Sequence, residues 1–166
     1  MTDQDYPIKD LKTEFLFRID LAAEYQADVV TGLKGTPWGD LVNIPVTGGM
    51  VSGPHVNGQV ANMGGDWGVA TTRECRNFDT GEDEETRVTE LDCKLVIKTN
   101  DSPPAMIEMI YTGTSYGTKD GYSYFRTLPR FRTASPKYVY LNSAIAVANG
   151  THRKNEGPVY DVYLVL

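Results

Sequence analysis

Long apolar runs are missing from this chain. No stretch approaches the ~18 consecutive apolar residues that a membrane-spanning helix requires, so no helical membrane span is expected. Positive charge is scarce as well. Sixteen Lys and Arg stand against 22 Asp and Glu, a net charge of -6, the reverse of the basic face that nucleic acid recruits. The only cysteines, Cys75 and Cys93, have neither zinc nor redox spacing. The only histidines are His55 and His152, and nothing in the sequence pairs either with a nucleophile. A Gly-x-Ser-x-Gly elbow, a phosphate loop and a dinucleotide fingerprint are all absent. The N-terminus, MTDQDYPIKDLKTE, lacks the basic start, apolar middle and cleavage site of a secretory signal, so a cytoplasmic protein is expected. The sequon at Asn149-Gly150-Thr151 then reads as chance.

Helical periodicity is also nearly absent, and alternation takes its place. In residues 86–99, Leu91, Cys93, Leu95 and Ile97 share one parity, while Glu90, Asp92 and Lys94 share the other. That is the pattern of a half-buried strand, and it makes Cys93 a small core residue. Residues 13–21 alternate through Phe15, Phe17, Ile19 and Leu21, and residues 105–115 through Ile107, Met109 and Tyr111. Further strands are expected at 68–73, 122–132, 138–148 and 158–166. Residues 22–30 read as a helical turn or a short strand. Five acids, Asp79, Glu82, Asp83, Glu84 and Glu85, crowd one segment. It does not match a calcium loop and reads as a solvated loop.

The chain is organised around residues 44–67, which hold six of its 16 glycines and end in Asp66-Trp67. Gly-Gly, Gly-Pro and Asn-Gly steps mark tight turns between short strands. They do not precede a helix, so they are not a phosphate cradle. The expectation is an all-β fold: a single compact antiparallel β-barrel of about eight to ten strands with little helix. It covers residues 12–166 as one domain, after a flexible tail at residues 1–11. A barrel of this size holds side chains or one small ligand.

Parity supplies candidates for the interior. Glu90, Asp92 and Lys94 share a face, as do Tyr122, Tyr124, Arg126 and Leu128, and again Tyr138, Tyr140 and Asn142. Such faces ordinarily meet solvent. Turned inward, they would form a tyrosine-lined pocket with placed hydrogen-bonding groups. Asp66, beside Trp67, reads in two ways: a buried acid or base with a raised pKa, or a carboxylate accepting backbone hydrogens in a turn. Arg126 reads as a clamp for an anion or as a salt-bridge partner.

Several separated blocks then carry a resemblance. Ile44-Pro45-Val46-Thr47-Gly48-Gly49, Gly53-Pro54, Gly58, Val60 and Gly64-Gly65-Asp66-Trp67 are similar to the signature of the DUF3237 (UPF0311) family. The second half agrees in Tyr124-Phe125-Arg126-Thr127, Pro129-Arg130-Phe131, Pro136, Tyr138, Leu141-Asn142 and Tyr160-Asp161-Val162-Tyr163. The resemblance implies a β-barrel, mostly in proteins of unassigned function, with some fungal relatives acting as natural-product tailoring enzymes in cofactor-free ring formation. Carried over, the recurring polar positions fall on Asp66, Trp67, Arg126, Tyr138 and Asn142, with Asp92-x-Lys94 as an acid-x-basic strand step. The acidic segment at 79–85 and the loop at 116–121 depart from the family pattern.

The function expected from this is stereoselective ring closure, by intramolecular hydroalkoxylation or a hetero-Diels–Alder-type step, of a prenylated or polycyclic aromatic substrate. Asp66 or Asp92 would donate the proton, and Lys94 and Arg126 would stabilise a phenolate or enolate. Trp67, Tyr111, Tyr124, Tyr138 and Asn142 would bind the substrate. Neither a metal nor an organic cofactor is called for. A small-molecule aromatic substrate is the expected partner, nucleic acid and membrane are not, and a homodimer is compatible with the chain. The rival expectation is a non-catalytic barrel that binds a small ligand.

Overall fold

Alternation of the Leu91–Ile97 kind builds strands, and eight form. The structure is a computed structural model and describes residues 10–24, 33–153 and 156–166. The strands are β1 (Thr13–Ala23), β2 (Asp40–Ser52), β3 (Gly58–Arg76), β4 (Asp83–Thr99), β5 (Met106–Gly117), β6 (Ser123–Arg132), β7 (Ala146–Arg153) and β8 (Glu156–Val165). Each pairs antiparallel with its sequence neighbours, and β8 returns to pair with β1, closing the barrel. Closure removes the free edges that an open sheet would expose. No described helix is long and apolar enough to cross a membrane.

The interior follows parity. Leu91, Cys93, Leu95 and Ile97 of β4 meet Ile107, Met109 and Tyr111 of β5, Phe125 and Phe131 of β6, and Tyr160, Val162 and Leu164 of β8 in one apolar core. Burying a large apolar side chain of this kind contributes about 1.5–3 kcal/mol. In β1 the register shifts between Phe15 and Phe17. Leu16 and Phe17 are therefore both buried, while Phe15 stays at the surface.

Three expectations about elements are corrected. Residues 68–73 are not a separate strand but the second half of the long β3. The acidic segment is only partly a loop, because Asp83–Glu85 pair in β4 against Arg76, Cys75 and Glu74. Residues 138–143 are not a strand: Val139–Ser143 form a 3-10 helix. With three residues per turn, Tyr138 and Leu141 face inward together while Val139 and Tyr140 are exposed. The helical turn or short strand expected at 22–30 falls mainly on residues outside those described, as does most of the expected tail.

The antiparallel meander places the β1–β2, β3–β4, β5–β6 and β7–β8 connections at one end, called the mouth here. The other connections, including the 3-10 helix, lie at the opposite end. There the Tyr138 hydroxyl donates to Asp101 Oδ2 at 2.6 Å. Hydrogen bonds from Lys137, Tyr138 and Thr99 hold the Asp101 carboxyl down to about 2.

Candidate active site

A pocket of about 310 Å³ opens inside the mouth half of the barrel. Larger hollows of 540 to 670 Å³ lie elsewhere, but among the described residues only this one combines a buried carboxyl with an imidazole. Its walls are Val42 and Ile44 of β2, Asp66 and Ala70 of β3, Arg87, Thr89 and Leu91 of β4, Phe125 of β6, His152 of β7, and Pro158 and Tyr160 of β8.

Asp66 reaches the pocket through a bulge. Between Val60 and Gly64, β3 carries two more residues than the facing stretch of β4 from Ile97 to Leu95. Two extra residues preserve parity, so Asp66 stays on the inward side that Val60 set. Gly64 makes the bulge feasible. Its φ is +98, and a Cβ there would lie 2.1 Å from the Lys94 carbonyl oxygen, a backbone that only glycine adopts easily.

Asp66 lies within β3 and not in a turn, so the backbone hydrogen it accepts comes from the neighbouring strand. Oδ1 accepts the Asp92 backbone N–H at 2.9 Å, at a point where the β3–β4 ladder has no bridge at Trp67 or Gly68. The residue is 9% exposed and lines the pocket. Among the described residues no Lys, Arg or His forms an ion pair with it. Burial pushes its carboxyl up to about 6; the Asp92 N–H opposes that rise and the Asp92 charge adds to it.

His152 faces Asp66 from the far wall, because β3 and β7 are four strands apart in a ring of eight. The residue keeps an exposed edge at the mouth. Its ring stacks on Phe125, with centroids 4.5 Å apart and planes at 28°, and its Nε2 lies 2.9 Å from Ser115 Oγ. Burial lowers the imidazole below its ordinary value. Gly150 leaves the room for this stack, since a Cβ there would sit 2.9 Å from the Phe125 and Tyr160 rings.

The floor is aromatic. Phe125 meets Tyr160 edge-on at 5.0 Å, and the Tyr111 hydroxyl donates to the Tyr160 hydroxyl at 3.2 Å. Beneath them burial pushes the Cys93 thiol up to about 12, which makes it a poor nucleophile. At the rim, Arg87 Nη2 donates to Asp40 Oδ2 at 2.8 Å.

Of the site residues expected from sequence, the structure brings Asp66, Tyr111 and Tyr138 into the barrel interior, Tyr138 at the end opposite the pocket, and leaves the others outside it. Asp92 and Lys94 are exposed on the outer face of β4, because Leu91 and Cys93 take the inward parity; Asp92 touches the site only through its backbone. Arg126 is exposed on the outside of β6, donating to Asn149 Oδ1 at 2.6 Å and lying over the Tyr124 ring. Tyr124 is outside too, stacked on Tyr116. Trp67 is 65% exposed. Tyr138 sits at the opposite end on Asp101. Asn142 clasps the Thr133 backbone, accepting from its N–H at 2.8 Å and donating to its carbonyl at 2.9 Å.

Sequence reasoning missed His152 and Ser115. Nothing in the sequence pairs either histidine with a nucleophile, and the structure sets Ser115 Oγ beside His152 Nε2. A signal was present: Ala146, Ala148 and Gly150 form an inward row of small residues that ends on His152.

Fold and site together define an eight-stranded meander barrel with an ionisable pocket in one mouth. The chain belongs to the DUF3237 family, described as a protein of unknown function, whose model matches residues 11–165. A UPF0311 protein of Rhodopseudomonas palustris is 29% identical over 136 residues, covering 74% of this chain and 78% of the relative. The crystal structure of a conserved protein of unknown function from Rhodopseudomonas palustris superposes with a TM-score of 0.75 at 26% identity, over 96% of this chain and 100% of that one. A protein described as an enzyme, from Penicillium herquei, shares the fold with a TM-score of 0.61 at 19% identity, over 97% of this chain and 98% of its own.

Proposed function

We propose that this protein is an enzyme that binds one aromatic small molecule in the mouth pocket and closes a ring on it by acid–base catalysis. The observation that carries this reading is Asp66: a buried carboxyl, unpaired with any cation among the described residues, raised to about 6 and turned toward an apolar-walled pocket. Near neutral pH such a group holds and releases a proton readily. A barrel that only bound a ligand would have no need of it.

The reaction is addition of an internal hydroxyl across a carbon–carbon double bond. The Asp66 carboxyl gives its proton to one alkene carbon, and the hydroxyl oxygen bonds to the other. The proton lost from that oxygen restores the carboxyl, so no oxidant or reductant is consumed. At about 310 Å³ the pocket is near the small end of ligand sites. It accommodates a one- or two-ring core and leaves any larger polycyclic portion at the mouth. Phe125 and Tyr160 supply the aromatic surface.

The test is ring closure of 1-(2-hydroxyphenyl)-3-methylbut-2-en-1-one to its isomer 2,2-dimethylchroman-4-one. The wild-type protein is expected to accelerate it, and Asp66→Asn is expected to lose roughly 10²–10⁴-fold while remaining folded. Asp92→Asn, altered on the outer face, is expected to keep its rate. Full activity in Asp66→Asn would rule out the assignment.

A further inference from the structure

We infer that Ser115 holds His152 in the tautomer with its proton on Nδ1, that this N–H receives a carbonyl oxygen, and that the substrate's double bond is therefore conjugated to a carbonyl group. The carbonyl part of the inference rests on the mouth pocket being the reaction site; the tautomer part does not.

The argument begins with one buried hydroxyl. Ser115 is 6% exposed, and the hydrogen-bond partner of its Oγ among the described residues is His152 Nε2. Two arrangements satisfy the 2.9 Å contact. If the imidazole donates, the serine proton is buried with nothing to accept it. If the serine donates, only oxygen lone pairs go unused. Buried donors without acceptors are rarer and less tolerated than acceptors with spare lone pairs. The serine therefore donates, Nε2 accepts, and the neutral ring carries its proton on Nδ1.

The rest of the ring's environment supports the same state. Phe125 stacked on its face fixes the plane in which Nδ1–H points. Among the described residues no carboxylate pairs with His152 to draw a second proton onto it, and Asp66 stands on the opposite wall. Nδ1 has no protein partner there, while the ring lines the pocket. His152 is exposed at the mouth, so a ligand entering there can reach this N–H, and a neutral imidazole N–H that meets a carbonyl polarises it without itself becoming an acid.

This gives each wall one task. The internal hydroxyl attacks the β-carbon of the unsaturated carbonyl compound, and a C–O bond forms there. The alkene electron pair moves toward the carbonyl oxygen, where the His152 N–H stabilises the enolate. The Asp66 carboxyl protonates the α-carbon, and the proton released by the hydroxyl returns to Asp66. His152 contributes a hydrogen bond and undergoes no net protonation. Ser115 is a positioning residue that acts through it.

With only two histidines in the chain, ¹⁵N NMR of the full-length protein reads the tautomer directly, and His55→Gln, altered at the opposite end of the barrel, assigns the signals. The wild type is expected to show the proton on Nδ1 at neutral pH, and Ser115→Ala is expected to lose that preference. Protonation on Nε2 in the wild type, or an unchanged tautomer in Ser115→Ala, would overturn the role of Ser115. The carbonyl claim is read with 1-tetralone, whose carbonyl stretch is expected at lower frequency in the wild-type complex than in the His152→Phe complex. Equal frequencies overturn that claim alone. Failure of 1-tetralone to bind overturns it together with the proposed function.

Discussion

At the scale of single residues, Asp66 sets protein stability against chemistry. Its carboxyl titrates at about 6 in the fold against an ordinary 3.8, so the folded state holds this proton more tightly than the unfolded chain does. The associated stability is fully present below pH 3.8 and is lost as pH rises through 6. Above that, the buried charge destabilises the fold by about 3 kcal/mol. Asn in place of Asp keeps an oxygen for the Asp92 N–H and removes the charge. Asp66→Asn is therefore expected to match the wild type near pH 3.5 and to exceed it by up to about 3 kcal/mol at pH 7.5, measured by urea unfolding. A gain that does not vary with pH would show that the carboxyl is not perturbed in the fold. A gain in stability that accompanies a loss of turnover is what a site built on a strained group produces.

Elements decide where such residues point, and the bulge in β3 is the clearest case. Gly64→Ala puts a side chain at φ +98 and 2.1 Å from the Lys94 carbonyl oxygen. Backbone strain of this kind is worth of order 1–3 kcal/mol, and the clash adds to it. The variant is expected to lose at least that much stability in urea. A loss below about 0.5 kcal/mol would show that the bulge tolerates a Cβ. The bulge also marks the limit of what the sequence discloses. Alternation in β4 separated an apolar face from a polar one but did not say which turned inward: Asp92 and Lys94 were expected at the site, and Leu91, Cys93, Leu95 and Ile97 take the interior instead. Asp66 lies beyond a glycine-rich segment, where counting twos gives the right face only if the number of extra residues is known. The run through Tyr138 and Asn142 resembled a strand because its tyrosines alternate, yet a 3-10 turn spaced its buried residues by three. His152 and Ser115 are 37 residues apart and meet because β5 and β7 flank β6 and face the same interior. The outward positions of Arg126 and Tyr124 follow from Phe125 and Thr127 taking the inward parity of β6.

At the scale of the whole molecule, the two ends of the barrel are chemically distinct. One is sealed by Tyr138, Leu141 and the Asp101 carboxylate with its three donors; the other holds the pocket and its titratable pair. Every strand contact but one joins sequence neighbours, and the exception is β1 with β8. There Thr13 pairs with Val165, and the Lys12 and Leu166 backbones exchange hydrogen bonds of 3.4 and 2.8 Å. Topologically the chain is a ring cut once, at the end away from the chemistry. The cut is thus an accident of connectivity and not a requirement of the architecture. A circular permutant that joins residues 12 and 166 through a short linker and opens at Gly81, where a Cβ would meet nothing within 4 Å, is expected to regain the same near-ultraviolet dichroism and the same His152 signals. Loss of either would mean that the order in which the strands leave the ribosome, and not only their pairing, is written into this barrel.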